Sequence, residues 1–161
     1  MAGPVTGASL SWDSGTVFEA EGGAGSRLRI DSPIATGGTG TGFSPMELLL
    51  HALAGCLAVT LVQILAKQRL TLHEYRIDVR GERAAEPPSP YTRIVVEHRL
   101  RGAGLTRPNL ERLVALVEER YCSVAATLPR GLIEHTIVLP DEAAPEVGRQ
   151  STEASAPRTS S

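Results

Sequence analysis

Apolar and polar positions change rhythm several times along the chain, and each rhythm predicts an element. ASLSW, TVFEAE and RLRID are three short runs separated by Asp13-Ser14-Gly15 and Gly22-Gly23-Ala24-Gly25, the pattern of short strands joined by turns. The glycines of the following loop, SPIATGGTGTGF, make it flexible or let it pass close to other backbone. From Leu48 to Leu65 the alternation stops: only His51, Thr60 and Gln63 are clearly polar. Ser44-Pro45-Met46-Glu47 precedes this stretch with the S-x-x-E form of a capping box and proline at the first helical position, so a helix is predicted from there to about Lys67 or Arg69. LTLHEYRIDVRGER then alternates, with Tyr75, Ile77 and Val79 on one face and Arg76, Asp78 and Arg80 on the other. Ala84 to Pro90 holds three prolines and must be a loop. YTRIVVEHRLRG sets Ile94, Val96, His98 and Leu100 against Arg93, Glu97, Arg99 and Arg101, which predicts a long hairpin with one buried face. Leu110, Leu113, Val114 and Val117 recur at helical spacing in RPNLERLVALVEERY. CSVAATLP is a further helical turn or short helix stopped by Pro129 and Gly131, and LIEHTIVL is a last strand. Residues 1–140 are expected to form one domain, and 141–161, which have almost nothing to bury, a disordered tail.

The apolar stretch is long enough for a membrane span. Its glycine and alanines, its scattered polar residues and the amphipathic elements that follow favour a buried spine instead, because a sheet with one apolar face needs a partner layer. A helix apolar all round is enclosed on all sides. In a chain this small, dimerisation is one way to enclose it.

Composition narrows the function. With 42% hydrophobic residues, 21% charged and a net charge of -2, the chain lacks the clustered basic excess of a nucleic-acid or anionic-membrane binder. The hairpin arginines alternate with acids and are expected to form a solvated face. The first fifteen residues carry no basic region followed by an apolar one, so the expected location is cytoplasmic, where thiols stay reduced. His51, His73, His98 and His135 fall on different elements without zinc-motif spacing, and no phosphate loop or dinucleotide fingerprint is present. No metal or organic cofactor is expected.

The two cysteines are the chemical candidates. A buried cysteine is ordinarily an inert small hydrophobe. Cys56, however, follows Gly55, which leaves room beside the sulfur, and Cys122 lies where a helix N-terminus lowers a thiol pKa. A reactive thiolate with a second thiol in reach attacks a peroxide, becomes a sulfenic acid and condenses to a disulfide. Composition and spacing do not show whether these two thiols meet.

SPMELLLHALAGC and YCSVAATL, separated by a hairpin and an amphipathic helix, resemble the superfamily of osmotically induced protein C (OsmC) and organic hydroperoxide resistance protein (Ohr). The resemblance covers about residues 8–139. It implies an α+β fold in which a long central apolar helix is packed by antiparallel sheets in an intertwined homodimer, with active sites at the subunit interface. It also implies a thiol peroxidase that reduces organic hydroperoxides, with hydrogen peroxide a further substrate, and a cellular dithiol as reductant. Cys56 would be the peroxidatic cysteine and Cys122 the resolving one. The peroxidase branches add a glutamate ten residues before the cysteine and an arginine from the N-terminal sheet. Here the glutamate position is Met46, and Glu47 follows it. Capping accounts for Glu47, and nine residues of regular helix set it roughly 13 Å along the axis from Cys56 and about 180° around it. Arg27 and Arg29 share one strand face, where surface arginines are ordinary; Arg29 is favoured if one of them acts. The catalytic candidates are thus Cys56, Cys122, Arg29 and Glu47. A non-catalytic small-molecule or redox-binding protein of the same fold is the alternative, favoured by Met46.

Overall fold

The apolar stretch forms one helix, α1 (Pro45–Lys67), in a computed structural model that describes residues 3, 5–23 and 25–140. The tail expected over 141–161 lies outside the described residues. The helix starts as its sequence predicts. The Ser44 hydroxyl accepts from the Glu47 backbone N–H, and the Glu47 carboxylate accepts from the Ser44 N–H at 2.8 Å. It stops where Arg69 turns left-handed (φ 58°) and the Leu70 N–H caps the Leu65 carbonyl.

Before α1 lie β1 (Ser9–Ser14), β2 (Val17–Glu21) and β3 (Arg27–Ile30), paired antiparallel in chain order. The glycine-rich loop does not wander. It folds around Asp31, whose carboxylate accepts from the hydroxyls of Thr16 (2.6 Å) and Thr39 (2.7 Å) and from the backbone N–H groups of Ser32, Thr39 and Thr41. The Thr16 and Thr39 donors hold this carboxylate far below its usual range. The chain then passes back against β3, where the Phe43 N–H reaches the Arg29 carbonyl at 3.0 Å. Gly42 is required there, since a Cβ would sit 2.7 Å from that carbonyl oxygen.

After α1, β4 (Thr71–Arg83) and β5 (Tyr91–Ala103) form the predicted hairpin, with Tyr75 opposite Leu100, Ile77 opposite His98 and Val79 opposite Val96. Ile94, Val96, His98 and Leu100 are all buried, as the alternation requires. The opposite face carries ion pairs, among them Arg76 with Asp78 and Arg93 with Glu82 and Glu134. Next come α2 (Arg107–Arg120), α3 (Ser123–Thr127) and β6 (Ile133–Val138). β6 joins β5 in parallel, so this second sheet is mixed rather than wholly antiparallel. The physical reason is the connection: α2 and α3 form a crossover long enough to bring the chain back to the end at which β5 began.

The core lies between this sheet and the three helices. From α1 it takes Leu53, Leu57, Leu61 and Leu65, one stripe at i, i+4 spacing, each at most 1% exposed. Outside this stripe Leu50, Cys56 and Ile64 are partly buried, while Val59 and Val62 are exposed, and 22% of the helix's most apolar window is buried. The helix is long and apolar enough to cross a membrane by length and composition. Its leucine stripe, however, packs against a sheet and two further helices.

One polar row crosses this core. The Tyr75 hydroxyl lies 2.7 Å from His98 Nδ1, His98 Nε2 lies 3.0 Å from His135 Nδ1, and His135 Nε2 lies 3.0 Å from a Glu118 oxygen. Burial, with a smaller contribution from His135, pushes the His98 pKa down to about 3, so His98 is neutral at pH 7. An unfolded histidine takes up its proton near pH 6.5. Between about pH 6.5 and 3 the unfolded chain therefore binds the extra proton, and stability rises with pH. Urea unfolding should find the protein about 2 kcal/mol less stable at pH 5 than at pH 8 from His98 alone. An unchanged urea midpoint across that range would contradict it.

Candidate active site

Cys56 and Cys122 come from elements distant in sequence and meet in the core. Cys56 lies on α1 beside Leu57, partly buried, while Cys122 is the N-cap of α3 and 2% exposed. Cys56 packs against the core cluster to which Cys122 belongs, close enough to shift the ionisation of the Cys122 thiol. α2 delivers Cys122: the N–H groups of Tyr121 and Cys122 both close on the Val117 carbonyl, which ends α2 and turns the chain into α3. The Cys122 sulfur also accepts from the Ala125 N–H at 3.3 Å.

The expectation that a helix N-terminus lowers the Cys122 pKa is reversed. Burial and the neighbouring Cys56 push it up to about 11, outweighing the backbone donors of Ala125 and Val124. The reason is depth: a sulfur enclosed by apolar side chains loses more from desolvation than one short helical turn returns. Cys122 therefore keeps its proton at neutral pH.

Arg29 and Glu47 are brought together, but not at the thiols. They line one open groove of about 410 Å³ with Gly40, Thr41, Gly42 and Phe43. Arg29 donates to Glu19 at 2.8 Å and to Asp13 at 3.1 Å. Arg27 pairs with Glu21 at 3.0 Å. Glu47 is held in the capping box, where the Ser44 backbone N–H lowers its pKa. It stands nine residues before Cys56 in an unbroken helix. His51 packs edge-on against Phe43 near the same groove, with Nδ1 2.8 Å from the Glu47 carbonyl. No group of three or more potential metal ligands occurs among the described residues.

Two functional-looking features are absent from the sequence reading. One is the Asp31 hub, which shapes the groove by holding Thr39 and Thr41. Its only sequence signal is an acid followed by a threonine- and glycine-rich loop. The other is the row from Tyr75 to Glu118, signalled by a histidine at an inward position of two different strands, His98 and His135.

A long helix packed on a mixed sheet, with one thiol from that helix meeting a second at the start of a later helix, defines a two-cysteine α+β protein. Comparison with known proteins makes the assignment specific: residues 38–137 match the model of the OsmC-like proteins, and the chain belongs to that family. It is 32% identical to protein YhfA of Escherichia coli (strain K12) over 126 residues, which are 78% of this chain and 90% of YhfA. A hypothetical protein of Aquifex aeolicus VF5 has a similar structure, with 25% identity and a TM-score of 0.72 over 84% of this chain and 96% of that one. An organic hydroperoxide resistance protein OsmC of Legionella pneumophila shares the fold, with 20% identity and a TM-score of 0.60 over 85% and 98% of the two chains.

Proposed function

We propose that the protein is a two-cysteine thiol peroxidase acting on organic hydroperoxides. The observation that carries this reading is the placement of Cys56 and Cys122 in one core cluster, near enough for Cys56 to raise the Cys122 pKa. The Cys56 thiolate attacks the distal oxygen of ROOH; the O–O bond breaks, Cys56 becomes a sulfenic acid, and RO⁻ takes a proton and leaves as ROH. The Cys122 thiol then condenses with the sulfenic acid, forming the Cys56–Cys122 disulfide and releasing water. A cellular dithiol returns both cysteines to the reduced state. The aliphatic side chains around the pair favour an organic peroxide over hydrogen peroxide.

The uncovered apolar face of α1 supports a homodimer, and a partner copy would bring a cation to the thiols. Arg29 of that copy is the favoured donor. Its exposed pairs with Glu19 and Asp13 are each worth little, so exchanging them costs little. The proposed location is the cytoplasm. Sedimentation at micromolar concentration tests the dimer: a monomer mass would remove this source of the arginine.

The test of the reaction is to add one equivalent of cumene hydroperoxide to the reduced protein and count thiols, with mass spectrometry of the tryptic peptides. Rapid loss of both thiols with a Cys56–Cys122 link is the expected result. Loss at the rate of an ordinary thiol would sink the peroxidase reading. It would favour a ligand-binding protein of the same fold, for which Met46 at the family glutamate position and the capping role of Glu47 already speak.

A further inference from the structure

The row from Tyr75 to Glu118 is not used by the thiols, and its hydrogens can be placed from the ends inward. A carboxylate oxygen accepts, so His135 donates to Glu118 from Nε2. Both rings are neutral because burial pushes each histidine down. His135 Nδ1 is therefore bare and accepts from His98 Nε2, and His98 Nδ1 in turn is bare and accepts the Tyr75 hydroxyl. The three contacts, at 2.7, 3.0 and 3.0 Å, then point the same way, from Tyr75 to Glu118.

Residues at both ends of the row line cavities, while its middle is closed. Tyr75 is among the residues lining a cavity of about 750 Å³, with Leu100, Arg101 and Leu139. Glu118 and His135 line another of about 360 Å³ between α2 and β6, with Arg107 and Glu111. The Glu118 side chain is 30% exposed, whereas His98 is 1% exposed. Every other fully buried position on this face of β5 is aliphatic. A core histidine pair is costly to bury unless each nitrogen is partnered, and here each is.

We propose that Tyr75, His98, His135 and Glu118 form a directional proton relay, a second acid–base site that carries one proton from the Tyr75 cavity to the Glu118 carboxylate. A proton arriving on the Tyr75 oxygen sends the original hydroxyl proton to His98 Nδ1. The His98 Nε2 proton passes to His135 Nδ1, and the His135 Nε2 proton to Glu118. One proton enters, one is held on the carboxylate, no electrons move, and the row ends pointing the other way. The relay is independent of the peroxidase reading, since neither cysteine takes part.

The test is nitrogen-15 NMR of the histidine rings in the full chain at neutral pH. In the wild type both rings should carry their proton on Nε2. In Glu118→Gln the carboxamide no longer demands a donor, so His98, which Glu118 does not touch, should show its proton redistributed towards Nδ1. A brace without relay character would leave His98 unchanged in that variant, which would overturn the proposal, as would a wild-type His98 protonated on Nδ1. Tyr75→Phe is the second variant: Glu118 still accepts from His135 Nε2 there, so His135 should keep its proton on that nitrogen. Movement of that proton to Nδ1 would likewise overturn the proposal.

Discussion

Replacement of Cys56 by serine is expected to lower the rate of organic hydroperoxide reduction by about 10³-fold or more, because a serine hydroxyl without a base is not a nucleophile at neutral pH. Cys122→Ser should behave differently. The first step needs only Cys56, so one equivalent of peroxide should still be consumed, after which the sulfenic acid persists. Stopped-flow peroxide consumption with trapping of the sulfenic acid separates the two variants. Equal activity of Cys56→Ser and wild type would mean that the thiol pair has no catalytic use. The raised pKa of Cys122 fits the division of labour: of two neighbouring thiols, the enclosed one keeps its proton and waits.

Leu57→Ala should cost about 3 kcal/mol in stability and lower the urea midpoint by about 1–2 M at fixed protein concentration. Leu57 is 1% exposed and central in the leucine stripe of α1, between the sheet and the short helices. Truncation removes buried methyl groups and leaves a void that rigid neighbours do not fill. A loss under about 1 kcal/mol would mean that the stripe repacks freely. Leu57 also adjoins Cys56, so the variant should slow disulfide closure by loosening the wall of the site. Val59, on the uncovered side of the same helix, should not show this stability loss within one chain.

The elements of this protein were legible because their signals are local. The capping box at Ser44 and Glu47, the alternation of β5 and the helical spacing of Leu110 to Val117 each reflect a period of a few residues. The solvated arginine face of the hairpin follows from the same alternation. The candidate thiols could be named from the resemblance of SPMELLLHALAGC and YCSVAATL to a known family. Arg29 and Glu47 were harder. Their residue types fit the family pattern, yet the structure joins them in a groove of their own, since helix geometry turns Glu47 away from Cys56.

What the sequence by itself determined is which stretches are helix and strand, which faces they bury, and that two thiols were available. Periodicity decides these things, because a side chain's direction depends on its own few neighbours in the chain. Tertiary structure alone decided that Cys56 and Cys122 lie near one another, that burial raises rather than lowers the Cys122 pKa, and that β6 enters in parallel. It also decided that two histidines from separate strands fall into line with Tyr75 and Glu118. Each of these depends on distances between residues far apart in sequence and on the dielectric around them, neither of which exists until the chain has folded.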